Sequence, residues 1–350
     1  MKVLAIESSC DETSAAVVCD AATPDGRILS NVIKSQIAIH AEFGGVVPEI
    51  AARNHMDVID VVVEEALEKA NETLKTVDLI AATAGPGLIG GLLVGMVTAK
   101  ALALMNGKPF MAINHLEGHL LTPRLCYDVE FPYLLLLASG GHFLFAEIFG
   151  VGKYEVLGKT LDDAAGEAFD KVARMLGLAY PGGPSIQKIA KNGDSSRFDY
   201  TIPMQRRIGC DVSFSGIKTA TKLHIATLKN ICDQDRADVA ASFQLTVITH
   251  ITKKLRKAYQ MTKSKPKNIV IAGGVAANEA LREAVAKICE QENFNFSAPS
   301  LELCSDNAAM IGWAAIERML AGFKPSKLDA KTRPRWPITE IDDSTESNIE

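Results

Sequence analysis

His115-Leu116-Glu117-Gly118-His119 sets two imidazoles four residues apart, a spacing that puts both on one face of a helix and lets them share a metal ion. Pairs of this kind are as often structural, so the spacing alone settles nothing. The zinc-peptidase pattern H-E-x-x-H carries its Glu beside the first His. Here Glu117 stands two positions on, rotated roughly 200° from His115, and peptidase chemistry is disfavoured. A third ligand is needed, and Asp306 is a candidate between Ser305 and Asn307 at a predicted helix start. An Asp before a helix is most often an N-cap. Asn278 carries the same ambiguity, and Asp170 has Arg174 four residues away as an ion-pair partner.

Glycine-bearing turns at 85–91, 139–142 and 273–274 each follow an apolar run, and two lead into helices whose free N–H groups and dipole favour an anion. A nucleotide phosphate is the natural guest. Neither G-x-x-x-x-G-K-[ST] nor a clean G-x-G-x-x-G occurs, so P-loop and dinucleotide fingerprints are absent. Tight geometry explains any one of these turns; the three together favour phosphate. For nucleic acid, Lys253, Lys254, Arg256, Lys257, Lys263, Lys265 and Lys267 form one basic cluster. Arg206, Arg207, Lys218 and Lys222 form a looser one around Ser213-Phe214-Ser215-Gly216. Both equally describe the solvated face of a helix.

The elements that must position these groups come in two similar sets. Val3–Ile6, the polar turn Glu7 to Thr13 and Ala15–Val18 read as a hairpin. Tyr133–Ala138, Ser139-Gly140-Gly141-His142 and Phe143–Ile148 repeat it about 130 residues later. Helices are predicted over 54–70, 88–105, 161–176, 237–260, 279–290 and 307–321, and strands over 79–83 and 268–272. The chain's 350 residues exceed the roughly 250–300 that one core usually supports, so two lobes are expected. Leu79 to Ala99 carries no formal charge, but its glycines and Pro86 break it into strand, loop and helix rather than a membrane span.

With 47% hydrophobic and 23% charged residues, the composition excludes global disorder. The net charge of 37 − 42 = −5 resides in Glu340, Asp342, Asp343, Glu346 and Glu350, so the rest of the chain sums to zero. A neutral body has no long-range field to capture RNA, which then needs a local patch or a partner. Seven scattered cysteines without C-x-x-C, and a carboxylate as early as Glu7, lead us to expect a reducing, cytoplasmic setting without export.

In order, Glu7 to Thr13, the His40–His55 stretch around Gly44-Gly45-Val46-Val47-Pro48-Glu49, His115 to His119, Ser139 to His142 and Gly166 to Lys171 form a recognisable series. It continues through Tyr180 to Pro184, Ser213 to Thr219, Gly273 to Asn278 and Cys304 to Asn307. The chain resembles the TsaD family of tRNA N6-adenosine threonylcarbamoyltransferases over roughly residues 1–337. The resemblance implies an α/β, two-lobed ASKHA fold, like actin, sugar kinases and Hsp70, with a nucleotide cleft between lobes. We expect an N-terminal lobe over 1–115 completed by a helix near 306–323, a second lobe over 116–305, and a tail over 324–350 disordered after 337. It also implies transfer of the threonylcarbamoyl group from threonylcarbamoyl-AMP to N6 of the adenosine at tRNA position 37, with release of AMP.

By the resemblance, one divalent metal per subunit, iron ahead of zinc, falls to His115, His119 and Asp306. Substrate contacts fall on Ala138, Ser139, Gly140, Gly141, His142, Asp170, Gly183 and Asn278. A further contact falls on Gln187, where an Asp is common, and Phe143 stands where Thr or Ser is usual. Asp11 is the best-placed carboxylate to orient or deprotonate the incoming amine, with Glu12 second. The implied partners are tRNA, a TsaB-like paralogue and a TsaE-like ATPase, with no membrane. An ATPase or kinase of the same fold and a nucleotide-regulated scaffold are the competing readings.

Overall fold

The computed structural model describes residues 1–341. The continuous apolar runs Val3–Ile6, Ala15–Val18 and Leu79–Ala82 become strands buried on both faces. They belong to a five-stranded sheet made of β1 (Lys2–Glu7), β2 (Glu12–Cys19), β3 (Ile28–Ser35), β4 (Leu79–Gly85) and β5 (Phe110–Asn114). Its order is β3-β2-β1-β4-β5, with β1 antiparallel to β2 and parallel to β4. Leu4 and Ile6 share a core with Ile59 and Val62 of the helix Pro48–Lys69 and with Met96 and Ala99 of the helix Ile89–Met105. The helix Ala308–Leu320 packs on β1 and β2, with Gly312 against Ala5 and Val18.

The second sheet repeats this layout with β6 (Tyr133–Ala138), β7 (Phe143–Gly150), β8 (Lys153–Lys159), β9 (Asn268–Ala272) and β10 (Asn295–Ser297). Its order is β10-β9-β6-β7-β8, and β6 is again antiparallel to its hairpin partner β7 and parallel to β9. Leu134, Leu136, Phe143 and Phe145 share a core with Phe169, Phe243 and Val247 from the helices Ala165–Met175 and Asp233–Met261. The duplicated hairpins expected from the sequence are present, each extended by a third strand, β3 or β8. Those strands are only half buried and gave no continuous apolar signal.

The chain divides into one unit of Met1–Val129, Gly150–Tyr154 and Asp306–Glu350 and another of Glu130–Phe149 and Glu155–Ser305. The boundary expected at residue 115 therefore lies too early. The helix His115–Cys126 packs on Ala308–Leu320, and Glu117 bonds Arg318 with both carboxylate oxygens (3.1 and 3.0 Å). Disorder expected after 337 does not begin there: Ile338–Glu340 forms a short 3-10 helix, and Ile338 and Ile341 are buried. Trp336 packs against the first core, its carbonyl accepting from Asn114 Nδ2 (3.0 Å), and Arg333 N–H bonds Ala84 O (2.7 Å). The rest of that expectation, residues 342–350, lies outside the described residues.

The helix expected over 161–176 starts only at Ala165, because Asp162 is committed to Phe214 N–H (2.9 Å) and Ser213 Oγ (2.5 Å). The helix expected from 237 begins earlier, at Asp233, under a reciprocal cap between Cys232 and Asp235. No helix among the described residues is long and apolar enough to cross a membrane, and the seven cysteines form no disulfide with one another.

His250 ties the Ser213–Lys218 segment to the long helix by accepting from Ser213 N–H at Nε2 (3.3 Å). Burial, with Lys254 adding repulsion, lowers its pKa from 6.5 to about 4. The fold therefore favours the neutral ring. This contribution is fully present above pH 6.5 and is lost as pH falls through about 4. At about 1.4 kcal/mol per pH unit it amounts to at most about 3.5 kcal/mol. Chemical denaturation across pH 4–7 is expected to show this slope and His250→Gln to flatten it; parallel curves contradict the assignment.

Candidate metal and substrate site

Asn114 closes β5 and caps the next helix, its side chain accepting from Leu116 N–H (2.8 Å) and Glu117 N–H (3.4 Å). His115 is thus the first helical residue, and His119 lies one turn on. Gly118 between them lets this helix press against Ala308–Leu320. A Cβ there would sit 3.0 Å from Ile311 Cδ1 and 3.1 Å from Met310 Cγ. At the start of that second helix the cap is Asn307, which accepts from Met310 N–H (3.0 Å), so Asp306 is released from the capping role. Its Oδ1 stands 3.0 Å from His119 Nε2 and 3.5 Å from His115 Nε2. One ligand atom from each of the three lies within 4.8 Å of the others.

Glu7, fully buried at the end of β1, orients His115: its Oε2 is 3.0 Å from Nδ1. Thr83 Oγ1 donates to that same oxygen (2.5 Å), and Ser9 N–H donates to Oε1 (2.5 Å). Such a carboxylate behind a histidine fixes its tautomer and raises its basicity as a ligand. In the sequence Glu7 is marked only by its position at the inner end of a predicted buried strand. His119 Nδ1 has no partner among the described residues, so Asp306 and edge contact with His115 (centroids 4.8 Å apart) hold that ring.

Charge in this pocket is strongly organised. Burial raises the Asp306 carboxyl, but the two histidines overcome it and hold it well below the carboxylate range. Burial likewise opposes the His115 imidazolium, and Asp306 and Glu7 outweigh it and push the pKa well up. Glu12 is driven well above its ordinary range by burial and then by Asp306 and Asp11. Carboxylates crowded around two imidazoles form a field that a cation relieves. Two imidazole nitrogens and one carboxylate oxygen suit a divalent metal with open positions, iron(II) and zinc included.

Asp11 is buried in the turn between β1 and β2. The His40–His55 stretch holds that turn. His55 Nε2–H donates to Cys10 O (3.0 Å), Thr13 Oγ1 donates to His55 Nδ1 (2.7 Å), and Gln36 N–H donates to Asp11 O (3.0 Å). Gln36 also bonds His40 Nε2 through Oε1 (3.2 Å). Gln36 carried no motif in the sequence, because its role depends on three segments meeting.

The other candidates lie in the second unit. Ala138 ends β6, and Ser139–His142 closes on itself through Ser139 N–H to His142 O (2.8 Å) and His142 N–H to Ser139 Oγ (3.1 Å). Gly140 and Gly141 are exposed, and their amides make no hydrogen bond among the described residues. The start of the helix Ala165–Met175 supports this turn: Gly166 N–H bonds Ser139 O (3.3 Å) and Glu167 N–H bonds Gly140 O (3.2 Å). Asp170 accepts from Gly182 N–H (2.7 Å), next to Gly183. Gln187 accepts from Glu279 N–H (2.9 Å), and Asn278 caps that helix on Leu281 N–H (3.0 Å) while donating to Gln244 (2.9 Å). Phe143 packs into the core against Phe145 and Phe214. The turn at 85–91 differs: Gly87 N–H bonds Pro334 O (3.2 Å) and Leu88 N–H bonds Ser9 O (2.7 Å), so its amides serve the chain itself.

The family model TsaD, tRNA N6-adenosine threonylcarbamoyltransferase, matches residues 27–313. The protein of that name from Rhizobium etli is 50% identical over 345 residues, covering 97% of this chain and 94% of its own. The one from Paramagnetospirillum magneticum is 52% identical over 342 residues, covering 97% of each. Among solved structures, full-length HypF in a phosphate- and nucleotide-bound form aligns with a TM-score of 0.61 at 12% identity. That alignment covers 93% of this chain and 47% of HypF, and it speaks to the ASKHA-type fold alone. With half its residues shared along nearly its whole length, the chain belongs to the tRNA N6-adenosine threonylcarbamoyltransferase family.

Proposed function

We propose that this protein transfers the threonylcarbamoyl group of threonylcarbamoyl-AMP to N6 of the adenosine at tRNA position 37. The new bond joins N6 to the carbamoyl carbon; the bond from that carbon to the phosphate oxygen breaks; AMP leaves with the electron pair. The observation that carries this reading is the convergence of His115, His119 and Asp306, behind Glu7, in a chain of this family. An adenine N6 amine is a weak nucleophile because its lone pair is delocalised into the ring, so donor activation and alignment dominate the barrier.

His115, His119 and Asp306 would hold the divalent metal, iron ahead of zinc. When bound, it supplies Lewis-acid stabilisation of charge developing on donor oxygens. The free amides of Gly140 and Gly141 bind donor oxygens, and Asp170, Gly183, Gln187 and Asn278 form the rest of the AMP contacts. Asp11, fixed by Gln36 and His55 through the surrounding backbone, orients the amine and takes its proton. Asp11→Ala is expected to lower single-turnover transfer from threonylcarbamoyl-AMP by about 10²-fold or more while donor binding stays within about twofold. Near-normal turnover overturns that role.

The same proposal takes the cytoplasm as the setting of the reaction and a TsaB-like paralogue and a TsaE-like ATPase as partners. The inner stripe of the helix Pro48–Lys69 is spent on its own sheet, leaving Met56 and Val61 exposed as its contribution to docking.

A further inference from the structure

Two basic clusters that are far apart in sequence meet on the second unit. Lys257 Nζ donates to Gln205 O (3.1 Å) and Arg207 O (3.4 Å), and buried Lys254 donates to Gly209 O (3.2 Å). These lysines cap backbone carbonyls rather than meeting carboxylates, and they pin the segment 205–209 on the helix Asp233–Met261. The segment presents Arg206 and Arg207 to solvent, followed by Ile208, which is 97% exposed.

Lys253 stands one turn before Lys257 on that helix. Among the described residues, none of Arg206, Arg207, Lys253 or Lys257 has a carboxylate within ion-pair distance. On the same helix, by contrast, Arg256 is neutralised by Glu292 (2.7 Å). Asp211, an acidic group that Lys254 faces, accepts from Lys159 N–H (3.0 Å). The patch is thus a local excess of positive charge on a chain whose body is neutral as a whole, with an apolar residue at its tip.

We infer that Arg206, Arg207, Lys253, Lys257 and Ile208 form an RNA contact, in which the cations meet backbone phosphates of the tRNA substrate and Ile208 meets a base or ribose face. The inference rests on the tRNA reading above and adds to it the surface that holds the RNA. Phosphate contacts are the main source of affinity for a nucleic acid, and a cluster of unpaired cations supplies them.

The test measures binding of unmodified tRNA by the full chain, assembled with its partner proteins, as a function of salt. The wild type is compared with Arg206→Ala/Arg207→Ala, Arg206→Glu/Arg207→Glu, Ile208→Ser and Arg256→Ala. The double alanine variant is expected to reduce the slope of log K against log salt by about 1.4–1.8 and the charge reversal to weaken binding at least about tenfold, with threonylcarbamoyl-AMP binding unchanged. Ile208→Ser is expected to weaken binding with the slope intact, and Arg256→Ala to change neither.

Unchanged affinity and slope in both arginine variants overturn the inference while leaving the transferase reading in place. Intact tRNA affinity with failed assembly overturns it in favour of an acidic protein partner. A wild-type assembly that neither binds nor modifies tRNA overturns both.

Discussion

His119→Ala is expected to lower tRNA threonylcarbamoylation by about 10²–10³-fold and to reduce metal content to well under one equivalent. The ring is buried, and its Nε2 meets Asp306 Oδ1 at 3.0 Å with His115 beside it. Removing it leaves one imidazole and one carboxylate, too few donors to retain a divalent ion against water. A bound metal is worth several kcal/mol to a reaction that builds negative charge on oxygen, and about 3–4 kcal/mol corresponds to the loss given. Folding is expected to survive, because Asn114 and Asn307 still cap the two helices and Glu117 still pairs with Arg318. Metal analysis, a thermal melt and a rate are therefore read on one sample. Full activity in a stably folded, metal-free variant would remove the metal from the account.

Gly166→Ala is expected to raise the KM for threonylcarbamoyl-AMP and cut kcat/KM by about 10²-fold. The added Cβ would lie 2.7 Å from Gly140 Cα and 2.8 Å from Ser139 O, both backbone atoms that cannot rotate away. Either the helix start or the turn must move, breaking the bonds from Gly166 N–H and Glu167 N–H that hold the Gly140 and Gly141 amides outward. Overpacking of this kind costs about 1–3 kcal/mol, so the melting temperature falls as well. The decisive readout is donor binding by calorimetry at a temperature where the variant remains folded. Wild-type affinity there would show that the turn is not a donor site.

Local spacing made part of this site legible in the sequence. The i, i+4 histidines announce a shared face because a helix fixes that relation within one turn, and the two hairpin turns show as polar breaks between apolar runs. Asp306 was ambiguous because Asp306 and Asn307 are both good caps, and only folded geometry shows that Asn307 takes the cap. Gln36 and Thr83 belong to no motif, and Glu7 opens the first recognisable block without a role that its neighbours reveal; each matters through contacts made across the sheet or with a distant segment. The boundary at Val129 is hidden in the sequence for the same reason, since the pairing of Glu117 with Arg318 joins residues about 200 positions apart. Arg206 and Lys257 looked like separate solvated clusters until the segment 205–209 folded over the helix.

The measurement closest to the central claim is nucleoside mass spectrometry of unmodified tRNA incubated with this protein, its partner proteins and threonylcarbamoyl-AMP. The account predicts N6-threonylcarbamoyladenosine in the digest, one per tRNA at position 37, with stoichiometric AMP. Consumption of the donor without that nucleoside, in a reaction where another family member forms it with the same partners, would contradict the account.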